Sequence, residues 1–406
     1  MSVFFLESDL AILLEHVLLL CLGWIAVIPP LIVPRRWLAI SDRQGDKLQP
    51  ACHTTHLFCS WNECSLFFIS PTMTGSKNPR VFVTGVTGFV GGSVLASLYK
   101  GHPDIHITAL VRKESDAEQL QSVYPNLLIV IGSLSSLSLL TSNAAAVDFV
   151  IHMGGDNVPA VCAMIDGLAS SSTTGRPLPQ IISISGPRSL LDLSVPITGI
   201  ESPNSKVWSD VADAHTIISF PKERMHAEAD QEIIRHSIAK GVGTMLLSPG
   251  QLWGRSKGLL KKESHAETYY AAVKRRGRAF VIGDGSAAWS WISIEDLGDA
   301  VVFLLEQAVM SGDERRGQVG LNKEGYYFVQ AGDVSLMERA EAVNKRLGLG
   351  EVERVSQEVA KEIHPFGHIM WGCGARFRAH KLRELGWRPN EVDWRVLMEE
   401  EGGERA

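Results

Sequence analysis

The sequence predicts an α/β fold with a doubly wound parallel sheet, a smaller C-terminal lobe and a hydrophobic extension at the N-terminus. From residue 80 onward, short apolar runs of strand length alternate with longer segments of helical periodicity. This alternation is typical of a parallel sheet covered by helices on both faces. The chain has 406 residues, 45% of them hydrophobic and 21% charged, and can therefore bury one large core or two modest ones.

A glycine-rich turn follows the first predicted strand. Residues 80–95 read RVFVTGVTGFVGGSVL, in which three glycines recur at intervals of three residues before a helical run. Bare backbone N–H groups and the positive end of a helix dipole suit a diphosphate, so we expect this turn to bind a dinucleotide. The alternative is a glycine-rich turn without a ligand. The residues expected to contact the dinucleotide here are Gly85, Thr87, Gly88, Phe89, Val90 and Gly91.

A basic pair stands where the second predicted strand, residues 105–111, should end. Arg112 and Lys113 occupy the place where an acidic residue would accept the ribose hydroxyls of NAD(H). A guanidinium can instead bind a 2′-phosphate through two parallel hydrogen bonds. We therefore predict NADP(H) as the cofactor in preference to NAD(H), the alternative being a solvated basic pair at the start of a helix.

The spacing of the three glycines after Val83 and Thr84 resembles the extended and atypical short-chain dehydrogenase/reductase superfamily. Within it, the similarity is to the NAD-dependent epimerase/dehydratase group, which includes dihydroflavonol-reductase-like proteins. The resemblance continues through SPGQLWGR at residues 248–255 and KLRELGWRPN at residues 381–390. It implies a Rossmann domain over residues 73–248 and a substrate-binding lobe over residues 249–406, partly interleaved with the sheet.

The resemblance also implies roles for residues that follow later strands. His152 closes the fourth strand and is expected against the cofactor, and Pro249 follows the sixth strand and is expected near the nicotinamide. Ser185, after the fifth strand, is expected to hydrogen-bond the substrate oxygen. Lys222, on a predicted helix before the sixth strand, is expected to hold the nicotinamide ribose and to assist catalysis.

The catalytic tyrosine that this family places four residues before its lysine is missing. Position 218 is an isoleucine, and the Tyr270–Lys274 pair falls after the sixth strand, where we interpret it as coincidence on a surface helix. Three explanations remain open. Another acid could transfer the proton, the tyrosine could have moved, or the protein could bind the cofactor without catalysis. The candidate proton carriers are His215, His226, Ser185 and Ser219.

The predicted function is an NADP(H)-dependent oxidoreductase acting on a carbonyl or alcohol group of a small metabolite. A non-catalytic NADP(H)-binding regulator and a sugar-nucleotide epimerase or dehydratase are the alternatives, and Arg112 weighs against the epimerase. A net charge of −6 gives no indication of a nucleic-acid partner. The sequence leaves the oligomeric state open, a homodimer included.

The C-terminal lobe carries two further patterns. Ser335 and Glu338 have the spacing of a capping box that begins an amphipathic helix reaching residue 347. Trp289 and Trp291 could line a pocket for a flat or apolar substrate, or belong to the core.

The N-terminal extension, residues 1–72, does not fit the α/β body. Residues 17–33 are uncharged and apolar, and residues 10–14 lengthen this run upstream past Glu15 and His16. About 20 residues span a bilayer, so the segment over residues 10–33 is a borderline membrane helix, which Pro29 and Pro30 weaken. Insertion would place the body in the cytosol, because Arg35 and Arg36 follow the segment. The alternative is an upstream extension that the working protein lacks, with the native start at Met73. Either reading predicts a cytoplasmic body, with membrane contact only through this segment.

Cysteine usage agrees with a reducing compartment. Only Cys162 and Cys373 lie in the predicted fold, too few for a disulfide framework. The His and Cys residues between positions 52 and 64 match no familiar zinc spacing, so we predict no metal site.

Overall fold

A computed structural model describes residues 79–171, 178–201, 205–260, 265–310 and 319–401. All of these residues belong to one compact unit, residues 71–406. The predicted extension over residues 1–72, with its candidate membrane helix, lies outside the described residues. Among the helices that are described, none has both the length and the apolar character needed to cross a membrane.

Strands and helices alternate through the first part of the chain. They are β1 (Arg80–Thr84), α1 (Phe89–Gly101), β2 (His106–Val111), α2 (Glu114–Val123), β3 (Leu128–Ile131), α3 (Leu137–Ala145), β4 (Phe149–His152), α4 (Val158–Ser170), β5 (Gln180–Ile184), β6 (Val207–Ser209), α5 (Ala214–Ile217), α6 (Ala227–Lys240) and β7 (Gly243–Pro249).

The later part of the chain has shorter strands. Its elements are β8 (Gln251–Trp253), α7 (His265–Arg276), β9 (Phe280–Ile282), β10 (Ala288–Ser293), α8 (Ile294–Met310), β11 (Tyr326–Val329), β12 (Gly332–Ser335), α9 (Leu336–Leu347), β13 (Glu353–Val355), α10 (Gln357–Ile363), α11 (Gly367–Gly372), β14 (Arg376–Arg378), α12 (His380–Glu384) and α13 (Trp394–Glu401).

The main sheet has seven strands in the order β11-β7-β5-β4-β1-β2-β3. Each neighbouring pair in it is parallel. The chain reverses its direction of progress across the sheet between β1 and β4, which is where open α/β sheets bind their ligands. This sheet confirms the predicted doubly wound α/β fold. Strand β11 joins it from the C-terminal part of the chain, next to β7.

Both faces of the sheet are covered by helices, which explains why its central strands are apolar throughout. On one face, Phe82, Val150 and Ile181 pack with residues of α3, α4 and α6. On the other face, Val83 and Ile151 pack with residues of α1, α2 and α8. The first of these cores extends without a break into the C-terminal lobe, so the two parts of the fold share one interior.

Smaller sheets build the C-terminal lobe. Strand β10 lies between β8 and β12, β9 pairs with β13, and β6 pairs with β14. Helix α9 begins with the predicted capping box, because the Ser335 hydroxyl accepts from the Glu338 N–H and the Glu338 carboxylate accepts from the Ser335 N–H. Trp289 and Trp291 are both buried.

The segment around Lys222 corrects one expectation. Lys222 was expected on a helix, but α6 begins only at Ala227 and Lys222 lies in the turn before it. His226 interrupts the helical run with a left-handed backbone at φ 67°. Glu228 and Asp230 then fill the first turn of α6, where carboxylates favour a helix start.

Asp210 is buried and ties β6 to two later elements. Its carboxylate accepts hydrogen bonds from the N–H groups of Phe328, His380 and Lys381, at 3.1, 2.8 and 3.2 Å. We expect Asp210→Ala to lower the free energy of unfolding by about 3 kcal/mol, because it leaves three backbone donors unsatisfied, one of them buried and two partly buried. Urea unfolding against Glu118→Ala, at an exposed position on α2, would measure this. A loss under about 1 kcal/mol would contradict the assignment.

Candidate active site

The glycine-rich turn between β1 and α1 is closed by its own backbone. Gly85 has a φ of +84°, which L side chains rarely adopt, and its carbonyl accepts from the Gly88 N–H at 2.9 Å. A Cβ at Gly91 would lie 2.0 Å from the Gly85 oxygen, so only glycine lets α1 start so close to the strand. The glycine spacing seen in the sequence is therefore a steric requirement of the turn.

The N-terminus of α1 is open to an anion. Its N-cap is Gly88, no side chain caps it, and no acidic residue lies in its first turn. The N–H groups of Phe89 and Val90 have no partner within the helix, because they belong to its first turn. Together with the helix dipole they can bind an anion, and no acidic side chain of the first turn competes for them. Thr87 lies partly exposed beside them. These residues fit a dinucleotide diphosphate, which is the group that the sequence predicted here.

Arg112 and Lys113 are exposed at the carboxyl end of β2, directly beside β1. Lys113 is the N-cap residue of α2. Within the part of the chain that the structure describes, no hydrogen bond or ion pair engages the Arg112 side chain. Its guanidinium is thus available to a phosphate on the same edge of the sheet as the glycine-rich turn.

His152, predicted to contact the cofactor, is buried and fully hydrogen-bonded within the protein. Its Nε2 lies 3.0 Å from the Gly155 carbonyl and its Nδ1 lies 2.7 Å from the Thr84 hydroxyl. A carbonyl only accepts, so Nε2 carries the proton and Nδ1 accepts from Thr84. Burial also lowers the pKa of His152, which keeps the ring neutral. His152 therefore shapes the turn at Gly155 and has no ring nitrogen left to bind a ligand.

A cavity of about 230 Å³ opens at the carboxyl ends of β5 and β7. On the sheet side it is lined by Val90, Ser185 and Pro249, which were predicted to contact cofactor or substrate. His226 completes this side. The C-terminal lobe closes the cavity with side chains that include Trp289, Arg339, Met370 and Trp371.

The two ring nitrogens of His226 have different neighbours. One contacts a carboxylate, and the other lies close to Gly186 in the cavity wall. Its Nδ1 lies 2.8 and 3.0 Å from the two carboxylate oxygens of Asp156. An ionised carboxylate only accepts, so Nδ1 carries a proton. The other nitrogen, Nε2, lies close to Gly186, where an added Cβ would come within 2.6 Å of it. Among the described residues no hydrogen bond engages Nε2, which can therefore exchange a proton with a ligand in the cavity.

Ser185 is hydrogen-bonded to a buried carboxyl group. Its Oγ donates to Asp230 Oδ2 at 2.8 Å. Burial raises the pKa of Asp230 to about 7, an effect that the hydrogen bond from Ser185 and the nearby His226 only partly offset. Near neutral pH, Asp230 therefore exists in both its protonated and its ionised form. No sequence pattern indicated that this residue is buried.

Two other residues considered as catalytic groups lie away from this cavity. The Lys222 side chain is 61% exposed and pairs with Glu228, with 3.8 Å between Nζ and Oε1. His215 is also exposed and contacts Glu324 at 3.0 Å. The structure thus brings Ser185 and His226 together with Val90 and Pro249, but it does not bring Lys222 to them.

The structure adds Asp156 and Arg339, which sequence reasoning did not select. Asp156 had a signal in the sequence, because it follows the Gly154-Gly155 turn after β4, at the ligand-binding edge of the sheet. Arg339 had none, since it lies on α9, far along the chain from the other cavity residues.

Comparisons with known proteins agree with this fold. Residues 83–128 match the NAD-binding family model described as male sterility protein. The solved structure of the dTDP-glucose 4,6-dehydratase DesIV from Streptomyces venezuelae, with NAD bound, matches with a TM-score of 0.55 at 17% identity. The match covers 79% of this chain and 94% of that one. The chain therefore shares the α/β fold of this NAD-binding dehydratase structure. The resemblance identified from the sequence is thereby confirmed.

Two further matches extend over most of this fold. The oxidase UcsJ of an Acremonium species is 28% identical over 325 residues, 76% of this chain and 92% of that protein. UDP-glucose 4-epimerase from Thermotoga maritima, solved with UDP-glucose, has a TM-score of 0.53 at 12% identity. That match covers 79% of this chain and 98% of that one. The proteins that this fold resembles therefore carry out several different reactions.

The pKa of Asp230 predicts how stability changes with pH. Because the folded-state pKa is raised, to about 7, Asp230 favours folding fully below about pH 4, and this contribution is lost as the pH rises through 7. Asp230→Asn stays neutral and keeps an acceptor for Ser185. We expect its melting temperature to exceed that of the wild type by more at pH 8 than at pH 5, because the wild type loses about 3 kcal/mol of this contribution between these two pH values.

The control for this prediction is Glu118→Gln, which neutralises an exposed carboxylate. Thermal unfolding of the three proteins across pH 5–8 would supply the comparison. A difference between Asp230→Asn and wild type that stays constant over this range would mean that Asp230 does not titrate there.

Proposed function

We propose that the protein is an NADP(H)-dependent oxidoreductase that reduces a carbonyl group, or oxidises an alcohol, of a small metabolite. The observation that carries this proposal is the placement of His226. Its Nδ1 is bound by Asp156, and its Nε2 lies close to Gly186. His226 and Gly186 line a cavity together with Ser185 and Pro249. An imidazole oriented by a carboxylate is a common acid–base arrangement, and it would supply the proton for which the sequence offers no tyrosine.

The cofactor part of the proposal rests on two features of one sheet edge. The uncapped start of α1 suits the diphosphate, and the exposed Arg112 at the end of β2 suits a 2′-phosphate. DesIV was solved with NAD, so a nicotinamide dinucleotide agrees with the matched structures. The preference for NADP(H) depends on Arg112 alone.

When bound, the nicotinamide would supply or accept the hydride, and the protein residues would handle the proton. For reduction, protonated His226 donates from Nε2 to the developing alkoxide, and Asp156 stabilises the imidazolium that precedes the transfer. Ser185 contributes a hydroxyl group to the same side of the cavity as His226. When Asp230 is protonated it can donate to Ser185 Oγ, which frees the serine proton for the substrate oxygen.

The strained backbone of His226 agrees with a functional role. A non-glycine residue at a φ of 67° costs free energy, and such residues cluster at active sites. The oriented His226 favours a catalyst over the non-catalytic regulator that the missing tyrosine suggested. The name of the Acremonium relative, an oxidase, is consistent with redox chemistry on a shared fold.

Replacing Arg112 tests the choice of cofactor. We expect the wild type to bind NADPH at least about 10-fold more tightly than NADH, because a bidentate phosphate contact contributes about 1.5–3 kcal/mol. Arg112→Ala should lose this difference while its affinity for NADH stays the same. Isothermal titration calorimetry with both cofactors would measure it. Equal wild-type affinities would contradict the NADP(H) preference and leave the rest of the site untouched.

Replacing His226 tests the proton carrier. Asparagine tolerates the left-handed backbone, so His226→Asn should fold, yet we expect kcat to fall by about 100-fold or more. Asp156→Asn should cost less, because it removes the charge but keeps an acceptor. The assay is NADPH oxidation with a panel of aldehydes, ketones and flavonoid-like carbonyls.

A matched pair between α6 and α4 provides the control for His226. His236 contacts Asp166 at 3.0 Å, and its side chain is 18% exposed, against 20% for His226. His236→Asn should retain full activity because it does not line the cavity. If His226→Asn and His236→Asn were equally active, the assignment of His226 would be wrong.

A further inference from the structure

The cavity beside Ser185 and His226 is positively charged. Arg188 and Arg339 line it together with His226, and no aspartate or glutamate is found among the described residues that line it. Arg188 is half-buried. Any ligand that fills this space therefore meets two guanidinium groups and no carboxylate.

Arg339 is the more unusual of the two because it is buried without a counter-charge. The residue is only 5% exposed, and its Nε has no hydrogen-bond partner. Within the part of the chain that the structure describes, no ion pair engages its guanidinium. A buried charge without a partner is strongly unfavourable, so a protein retains one where a ligand supplies the opposite charge.

An aromatic ring packs against the Arg339 guanidinium. The guanidinium carbon lies 4.3 Å from the centroid of Tyr269. The Tyr269 hydroxyl donates to the carbonyl of Phe280 at 2.6 Å, and burial raises its pKa to about 12. Tyr269 is therefore neutral and positions the guanidinium by stacking, without neutralising it.

Trp289 supplies a second donor in the wall of the same cavity. It is buried, and among the described residues no hydrogen-bond partner engages its indole Nε1. Trp371 and Met370 add apolar surface to the same wall. The lobe side of the cavity thus combines two unsatisfied donors with aromatic and aliphatic walls.

We propose that the substrate carries a carboxylate on an apolar body and that Arg339 binds this carboxylate, with Trp289 as a second donor. The proposal rests on the proposed oxidoreductase function and names its substrate class. A planar guanidinium matches a carboxylate through two parallel hydrogen bonds. The cavity of about 230 Å³ is smaller than a typical ligand pocket, which favours a compact acid over a nucleoside diphosphate.

The cofactor does not account for Arg339. The groups that suit its phosphates are the first turn of α1 and Arg112, both on elements of the large sheet and its first helices. Arg339 instead comes from α9 in the C-terminal lobe. A substrate group is the ligand that this position can reach together with Trp289.

The test compares binding of 2-oxo acids with that of their neutral methyl esters. Pyruvate, benzoylformate and phenylpyruvate, each with its ester, and phenyl phosphate would be titrated into the full-length protein saturated with NADP⁺. Quenching of tryptophan fluorescence and calorimetry would report affinity without turnover. We expect at least one acid to bind about 10-fold or more tightly than its ester and than phenyl phosphate.

Variants at Arg339 then locate the selectivity. Arg339→Met should abolish the preference for the acid and melt at the same or a higher temperature, because it removes an uncompensated buried charge. Arg339→Lys should keep part of the preference. Arg276→Met is the matched control, since Arg276 also lies over a ring, that of Phe280, but is paired with Glu353 outside the cavity. Its selectivity should equal that of the wild type.

Several results would overturn the proposal. In the wild type, these are equal binding of each acid and its ester, binding of no acid, and preference for phenyl phosphate. In Arg339→Met, they are selectivity that survives the substitution and loss of affinity for NADP⁺ in place of the acid. Failure of the proposed function looks different. Acid-selective binding without NADPH oxidation on any carbonyl would reject the oxidoreductase and keep the carboxylate site, whereas turnover of neutral carbonyls without selectivity would do the reverse.

Discussion

The hydrogen bonds between seven parallel strands determine where each candidate functional group lies. Because the strands run in one direction, the turns after β1, β4, β5 and β7 all open at the same edge of the sheet. This edge collects the uncapped start of α1, Asp156, Ser185 and Pro249 from segments more than 150 residues apart in sequence. A shift in strand pairing would separate them, so the site depends on the sheet before it depends on any side chain.

The polar groups at this edge are held in unfavourable states by the packing around them. His226 has a left-handed backbone, and Asp230 is a buried carboxyl group with a pKa of about 7. Arg339 is a buried guanidinium for which the described part of the chain supplies no counter-ion. Each of these features costs folding free energy. All three lie in or beside one cavity, which is where stored strain and unpaired charge are useful for binding and proton transfer.

The fold could be predicted from local patterns because each one had a local physical cause. The glycines of the turn are required by the close approach of Gly91 to Gly85, and the start of α9 follows from the Ser335 and Glu338 capping box. Ser185, Val90 and Pro249 line one cavity because they directly follow or flank strand ends.

The catalytic and substrate side of the site was less predictable because it depends on contacts between distant segments. Lys222 was expected near the nicotinamide, but the backbone turn at His226 leaves it in solvent. Asp156 and His226 are 70 residues apart in sequence and meet only after α4, which follows Asp156, packs against α6. Arg339 reaches the cavity only because the C-terminal lobe packs against the sheet, and no local sequence pattern specifies this packing.

A crystal structure of the protein with NADP⁺ bound tests the central claim most directly. We expect diphosphate oxygens within hydrogen-bond distance of the Phe89 and Val90 amides and the 2′-phosphate at Arg112. We expect the nicotinamide in the cavity beside Ser185 and His226. A cofactor bound with its diphosphate away from the start of α1, or with its nicotinamide outside this cavity, would contradict it.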